Sequence, residues 1–393
     1  MVQMGGCIAC QPWRLGVAWE RLDGPGESGR WMTASQSQPD PVLKAIASWQ
    51  PARVLMTANR IGVFAIIGDG SLAAEEVAQR CQAHPRSTAL LLNACVAVGF
   101  LFKEGDRYRN TPEALAALIP GKATYLGDAI KHDEWLSHVW TYLEEAVRTN
   151  RPVRHRASPP AGADTWREFS LAMHERAMRS GPLLGETLDL SGRRQLFDCG
   201  GGVGTHSIFL VRRYPGLRAI VFDLPETIRL AKEVIAEFGL ADRITTRAGD
   251  YFVDDLGEGH DVVLLSSVIH SLGPHACRVL MEKCHHSLVG RGWLVVHEGL
   301  IDPEGTSPVR AVLFSLNMLV NTGEGRSYSG EEIHGPHEGG GIQAFGGEEL
   351  AAAHAYLAGH RGKALAEPGI QAGHAGSIAV SCPSSYLTLL RIA

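Results

Sequence analysis

The chain has 393 residues, 45% of them hydrophobic and 20% charged, and a formal net charge of -5. That length suggests roughly two or three domains, and the composition is ordinary for a soluble globular protein. The acidic balance excludes a general attraction to nucleic acid or anionic membranes, and the longest apolar run, Ala89 to Phe102, is interrupted by Asn93 and too short to span a bilayer.

The N-terminus lacks a basic region followed by an apolar core, so no signal peptide is expected. Eight scattered cysteines point to a reducing cytosol, hence a cytoplasmic protein. Cys7 and Cys10 form a lone CxxC with no second pair nearby to complete a zinc site, and read as incidental. Residues 1–37 show no clear periodicity and are rich in Gly, Trp and Arg, which predicts a disordered or irregular extension. Met32 is an alternative natural start.

From Pro41 the pattern turns helical: Val42, Ile46, Trp49, Val54, Leu55, Ala58 and Ile61 recur at helix-like spacings. Ser71-Leu72 opens a short helix with Glu75 and Glu76 in its first turn. A second helix runs from Ser87 to Val98 and stops at Gly99. Phe100 to Phe102, Gly105-Asp106 and Arg107 to Arg109 read as a small hairpin. Helices followed by a hairpin outline a winged helix over residues 38–120. A DNA-binding role is disfavoured. Leu90, Leu91, Leu92, Ala94, Val96 and Val98 fill the would-be recognition helix, and Arg86 is its only nearby basic residue. Phosphate neutralisation needs several Lys or Arg on one face, so a scaffold or dimerisation role fits better.

Residues 121–190 read as a helical linker. Tyr125, His132, Trp135, His138, Trp140 and Tyr142 stud one stretch, and Trp166, Phe169, Met173 and Met178 a second, with a Pro-rich loop from Arg151 to Ala163 between them. Most of these side chains are expected in the core, and some in the lining of a pocket for a flat aromatic substrate.

The chemistry centres on Leu196 to Thr205, where apolar residues lead into Asp198 and then four glycines fall within five positions, 200 to 204. A helical run follows from Ser207 to Arg213, giving strand, tight turn, helix. Glycines let the backbone approach a ligand, and the helix N-terminus behind them offers free N–H groups. Arg218 to Asp223 reads as a second strand ending in an acid, and Asp223 lies 23 residues after Gly200, where it can accept hydrogen bonds from two ribose hydroxyls. Gly249-Asp250-Tyr251-Phe252 and the strand Asp261 to Ser266 come next. The pattern Asp198-x-Gly-Gly-Gly-x-Gly differs from the dinucleotide form G-x-G-x-x-G, and its carboxylate disfavours a pyrophosphate. A cationic ligand with a ribose and no phosphates fits better, and S-adenosylmethionine (SAM) is such a ligand. Val289 to Trp293 reads as a turn before the strand Leu294 to Glu298, Val309 to Val320 as an apolar helix, and Thr322 to Arg326 as a loop.

These segments together resemble the small-molecule, SAM-dependent O-methyltransferases that include the caffeic acid and hydroxyindole enzymes and bacterial tailoring enzymes. The matches are Asp198 to Gly204, Phe222-Asp223-Leu224-Pro225, Gly249 to Phe252, and Val268-Ile269-His270 before a helix. The resemblance covers roughly Pro41 to Glu332 and implies an α/β fold: a Rossmann-like class I methyltransferase domain over 191–333 with the N-terminal winged-helix domain as a dimerisation domain. It implies SAM held at Gly200, Asp223, Leu224, Gly249, Asp250, Tyr251 and Ser266, the last where plant members carry a lysine. It implies His270 as general base with Glu298 flanking it, a second acid near Glu324, and an aromatic acceptor between Met173 and Met318. Plant members carry His-Asp-Trp where this chain has His270-Ser271-Leu272. The implied reaction is methyl transfer to the hydroxyl of a small phenolic secondary metabolite, by a homodimer that needs no metal and binds neither nucleic acid nor membrane. C- or N-methylation on the same fold, or a SAM-sensing winged-helix regulator, are the alternatives.

The tail from 334 to 393 breaks character. Gly, Ala and His crowd it, and its apolar pattern is weak until Tyr386 to Leu390. His334, His337, His354, His360 and His374 lack compact metal-ligand spacing. Gly339 to Gly341 and Gly346-Gly347 raise the entropy cost of ordering. One helix, Glu348 to Leu357, is expected, with the rest to Pro383 irregular, whether through a shifted reading frame or a diverged terminus; the last apolar run is a candidate for one strand.

Overall fold

The computed structural model describes residues 41–157, 165–334, 380–381 and 387–392. The expected N-terminal extension, the end of the Pro-rich loop and the helix expected at Glu348 to Leu357 lie outside the described residues. The chain divides into two units, residues 1–49 and 50–393. In the first, α1 (Pro41–Ala47) leaves Val42, Leu43 and Ile46 exposed, as Trp49 is.

The next elements are α2 (Trp49–Arg60), α3 (Val63–Ile67), β1 (Leu72–Ala73), α4 (Ala74–Arg80), α5 (Pro85–Ala97), β2 (Leu101–Glu104) and β3 (Arg107–Asn110). The strands form an antiparallel sheet in the order β1-β3-β2, packed on Phe64, Val77, Leu92, Leu101 and Tyr108. This is the expected helices-then-hairpin outline with one change at Ser71. Leu72 and Ala73 pair with Tyr108 and Arg107 instead of starting a helix. The helix starts at Ala74, where Glu76 accepts the Ala73 N–H at 2.8 Å. α5 begins two residues before Ser87, at Pro85, a position whose missing N–H would have had no partner in any case.

α6 (Pro112–Ala117), α7 (Gly127–Val139), α8 (Leu143–Thr149) and α9 (Thr165–Thr187) follow. α7 is clamped from both sides. Glu175 of α9, buried, accepts the N–H groups of Asp128 and Ala129 at 3.2 and 2.8 Å, capping the first turn of α7. Arg60 of α2 reaches Glu134 at 2.6 Å.

The remaining elements are β4 (Gln195–Cys199), α10 (Thr205–Arg213), β5 (Arg218–Asp223), α11 (Pro225–Glu237), β6 (Ile244–Ala248), β7 (His260–Ser266), α12 (Pro274–His286), β8 (Leu288–Gly299), α13 (Val309–Asn321), α14 (Gly330–His334), β9 (Val380–Ser381) and β10 (Leu387–Ile392). They build a seven-stranded sheet ordered β6-β5-β4-β7-β8-β10-β9. The first five strands run parallel, and β10 runs antiparallel to β8 and β9. Both faces are covered, so the central strands read as near-continuous apolar runs. Leu196, Val262, Leu264 and Val295 pack on one face with Ile208 of α10 and Ile228 of α11. Phe197, Val263, Leu265 and Val296 pack on the other with Leu280 and Cys284 of α12.

Two local readings change. Val289 to Trp293 is part of β8: the pairing jumps from His260↔Leu288 to Val262↔Trp293, so the expected turn is a bulge inside one long strand. In the tail, the last apolar run does form a strand, β10, paired along β8 from Leu387↔Gly299 to Ile392↔Leu294. Val380 and Ser381, inside the stretch expected to be irregular, pair with β10 as β9.

Candidate active site

The turn after β4 is shaped by what lies under it. Gly200 has φ +70, and a Cβ there would stand 2.8 Å from Val268. A Cβ on Gly201 would stand 2.6 Å from the Asp198 carboxyl carbon. Asp198 itself is buried beneath the turn, accepting the Ser207 hydroxyl at 2.6 Å. Burial pushes its carboxyl up to about 7, because desolvation outweighs the Ser207 bond. Its Oδ1 has no partner among the described residues. At the end of β5, Asp223 accepts the Gly202 N–H at 2.8 Å and the Leu224 N–H at 2.7 Å. Those bonds hold the glycine turn onto the β5 end and leave further lone pairs on both oxygens. After β6, a Cβ on Gly249 would stand 2.6 Å from the Phe222 ring. Asp250 closes a tight turn, its Oδ1 accepting the Phe252 N–H at 2.8 Å. Tyr251 stands edge-on to Phe252, ring centroids 4.8 Å apart. Leu224 and Phe252 leave apolar surface exposed at these strand ends.

The second half of the site is at the ends of β7 and β8. A single turn, Ile269–Ser271, carries His270. Its Nδ1 lies 2.9 Å from Glu298 Oε2, and its backbone N–H points at Oε1 at 3.4 Å. Glu298 is buried on β8. A carboxylate on Nδ1 fixes the proton there and leaves the Nε2 lone pair as acceptor. Phe314 of α13 meets the imidazole edge-on at 4.8 Å, and buried Met318 lies one turn further along the same helix.

The other expected site residues make different contacts. Glu324 packs against Gly273, where a Cβ would stand 2.0 Å from its Oε2. Among the described residues, no hydrogen bond joins it to the His270 ring. The Ser266 hydroxyl lies in a buried polar chain, 2.8 Å from His297 Nδ1 and 3.2 Å from His206 Nδ1, with His206 Nε2 3.1 Å from Ser180. Burial pushes His206 down to about 4 and His297 well below its ordinary value, so both rings are neutral at pH 7. Met173 is half-buried on α9, one turn past Phe169. Phe169 meets His132 at 5.3 Å and Trp166 at 6.1 Å. Burial, aided by Arg176, lowers His132 to about 4. Sequence reasoning missed Phe314, His206 and His297. Phe314 had a usable signal, since it precedes Met318 by four positions on an apolar helix.

A doubly wound sheet with a glycine turn after its central strand, an acid ending the next strand and an antiparallel strand, β10, beside β8 has the architecture of a class I methyltransferase. Residues 140–342 match the O-methyltransferase domain, and residues 48–118 match the O-methyltransferase dimerisation domain. The chain belongs to the SAM-dependent O-methyltransferase family. It is 36% identical to the 3-hydroxy-5-methyl-1-naphthoate 3-O-methyltransferase of Streptomyces sahachiroi, over 73% of this chain and 84% of that one. It is 32% identical to the N,N-dimethyltransferase OxyT of Streptomyces rimosus, over 81% and 94% respectively. The crystal structure of human N-acetylserotonin methyltransferase in complex with SAM superposes with a TM-score of 0.72 at 25% identity, covering 92% of this chain and 99% of that one. SAM is the cofactor. The close-packed glycine turn and the spare lone pairs of Asp223 fit a ribose-bearing group held without phosphates. Among the described residues, no helix is long and apolar enough to cross a membrane.

Proposed function

We propose that the chain methylates a hydroxyl of a small aromatic acceptor, with His270 as general base. The observation that carries this is the His270 Nδ1–Glu298 Oε2 contact of 2.9 Å at the ligand-binding ends of β7 and β8. A phenol, with a pKa of about 10, is mostly protonated at neutral pH. His270 Nε2 takes that proton as the new O–CH3 bond forms, and Glu298 orients the ring and stabilises its charged form. SAM, when bound, supplies the methyl group on a sulfonium with a good leaving group. Gly200, Asp223, Leu224, Gly249, Asp250 and Tyr251 hold the cofactor, and Met173 and Met318 flank the acceptor. Glu324, packed against Gly273 beyond the His270 turn, is the second flanking acid of this reading. Residues 121–190 are the linker that lines the pocket, and the winged-helix domain makes the homodimer. The scattered cysteines keep the cytoplasm as the compartment we propose.

The naphthoate named for the Streptomyces sahachiroi relative points to fused-ring phenols as the first acceptors to try. The N,N-dimethyltransferase relative motivates a second reading, transfer to an aromatic amine. A mass-spectrometric screen with SAM over hydroxynaphthoates, polycyclic phenols and aromatic amines separates them. We expect phenol methylation, reduced about 10²–10⁴-fold in His270→Gln. Methylation of amines alone, at a rate His270→Gln leaves unchanged, would refute the reading.

A further inference from the structure

We infer that Tyr328 is a positioning residue for methyl transfer, holding the turn that carries His270 through the Leu272 carbonyl. The inference rests on His270 acting as the base. The turn Ile269–Ser271 has little to hold its own shape. Within it, Leu272 N–H reaches the Ile269 carbonyl at 3.0 Å, and the Val268 carbonyl accepts from Ser271 N–H at 3.2 Å and from the Ser271 hydroxyl at 2.7 Å; one short turn of this kind is still weakly self-stabilised. It follows Ser267, a non-glycine residue at φ +57. Bracing from outside therefore adds to these internal bonds in setting its geometry.

Three side chains do so. Glu298 takes the ring and the backbone N–H of His270. The Cys277 thiol lies 3.4 Å from the Ile269 carbonyl and, at the longer distance of 3.8 Å, from the Leu272 carbonyl. The Tyr328 hydroxyl donates to the Leu272 carbonyl at 2.5 Å, a short bond for an O–H donor. Tyr328 is 6% exposed and closely held. The Arg326 guanidinium lies 4.3 Å from its ring centroid and is fixed in turn by Glu332 at 2.6 and 3.1 Å. The Tyr328 carbonyl accepts the Ile301 N–H at 3.1 Å. Ile301 lies two residues past the end of the strand that carries Glu298. One residue thus ties the exit of the His270 turn to the exit of the Glu298 strand. The segment reaches that close because residue 325 is glycine; a Cβ there would stand 2.5 Å from the His270 carbonyl. Burial raises the phenol of Tyr328 well above its ordinary range, so it stays a donor and exchanges no proton in the reaction.

The test is Tyr328→Phe in the full chain, with His270→Gln as reference, and calorimetric binding of S-adenosylhomocysteine to certify folding. Turnover of a hydroxynaphthoate should fall about 10-fold in kcat, the loss of one hydrogen bond, with KM for SAM unchanged. A purely structural role would leave a second signal untouched: the downfield Nδ1 proton resonance of His270, identified by its absence in His270→Gln. In Tyr328→Phe it should broaden through faster exchange with water. That NMR arm needs no acceptor. If Tyr328→Phe loses homocysteine-ligand binding, Arg326→Met, which frees the ring and keeps the hydroxyl, carries the same test. Unchanged kcat with an unchanged Nδ1 resonance would overturn the inference. Full turnover by His270→Gln would instead overturn the base assignment, and the resonance would still report on Tyr328.

Discussion

Asp223 offers the sharpest test of the cofactor site, because one carboxylate is placed to do two separable jobs. It accepts the Gly202 and Leu224 N–H groups at 2.8 and 2.7 Å, and its remaining lone pairs are those proposed for the ribose hydroxyls. Hydrogen bonds to a charged acceptor contribute about 1.5–3 kcal/mol each. In Asp223→Ala the two ribose bonds vanish together, so affinity for S-adenosylhomocysteine should fall by about 10²–10⁴. Fold stability should fall far less. The site is half-open, and water can replace the carboxylate on the two backbone N–H groups. Isothermal titration paired with thermal melting reads both effects. Burial also raises the Asp223 carboxyl above its ordinary range, so acidification removes the acceptor sooner than it would for an exposed aspartate, and wild-type affinity should decline on that side. Undiminished binding by an Asp223→Ala protein that melts like wild type would refute the assignment.

The remaining predictions concern the helical region. Burial lifts the Glu175 carboxyl from 4.5 to about 7, outweighing the lowering by its bonds to Ala129 and Asp128. With the folded value above the unfolded one, its stabilising contribution is full below about pH 4.5 and is lost as pH rises through about 7, roughly 3 kcal/mol in all. Glu175→Gln removes that slope, so urea melts from pH 5 to 8 should show wild type losing more stability than the variant; parallel curves would contradict it. The match to a dimerisation domain over 48–118 predicts a dimer mass in light scattering at micromolar concentration, and a monomer would exclude the assembly proposed.

The glycine turn and the strand-end acids were legible because their chemistry is local: Asp198 to Gly204 and Asp223 announce a ligand turn within one βαβ unit. β6 was not. Ile244-Thr245-Thr246-Arg247-Ala248 lies at the sheet edge, where only Ile244 is fully buried, so no apolar run marks it. The β8 bulge hid behind Gly290 and Gly292, which look like a turn until the pairing with β7 is known. Helix α4 started late because Leu72 had a partner in Tyr108, 36 residues on.

The placement of Ser266 was recoverable from alternation alone. Along β7, Val262 and Leu264 face α10 and α11, while Val263 and Leu265 face α12. Ser266 continues the first set. On β8, Val295 and His297 belong to that same face, and Val296 and Glu298 to the other. A period of two therefore assigns Ser266 and His297 to the neutral chain with His206, and Glu298 to the side of the sheet where Val268 and Ile269 pack. What alternation cannot reach is the register between distant segments. Tyr328 and Leu272 are 56 positions apart, and nothing in either local pattern says that a hydroxyl on one meets a carbonyl on the other. The pairing exists because Gly325 lets its loop close on the His270 turn while Ile301, just past the end of β8, anchors the Tyr328 backbone. Each of those residues looks ordinary alone, and only the packed structure shows that together they set where the His270 ring stands.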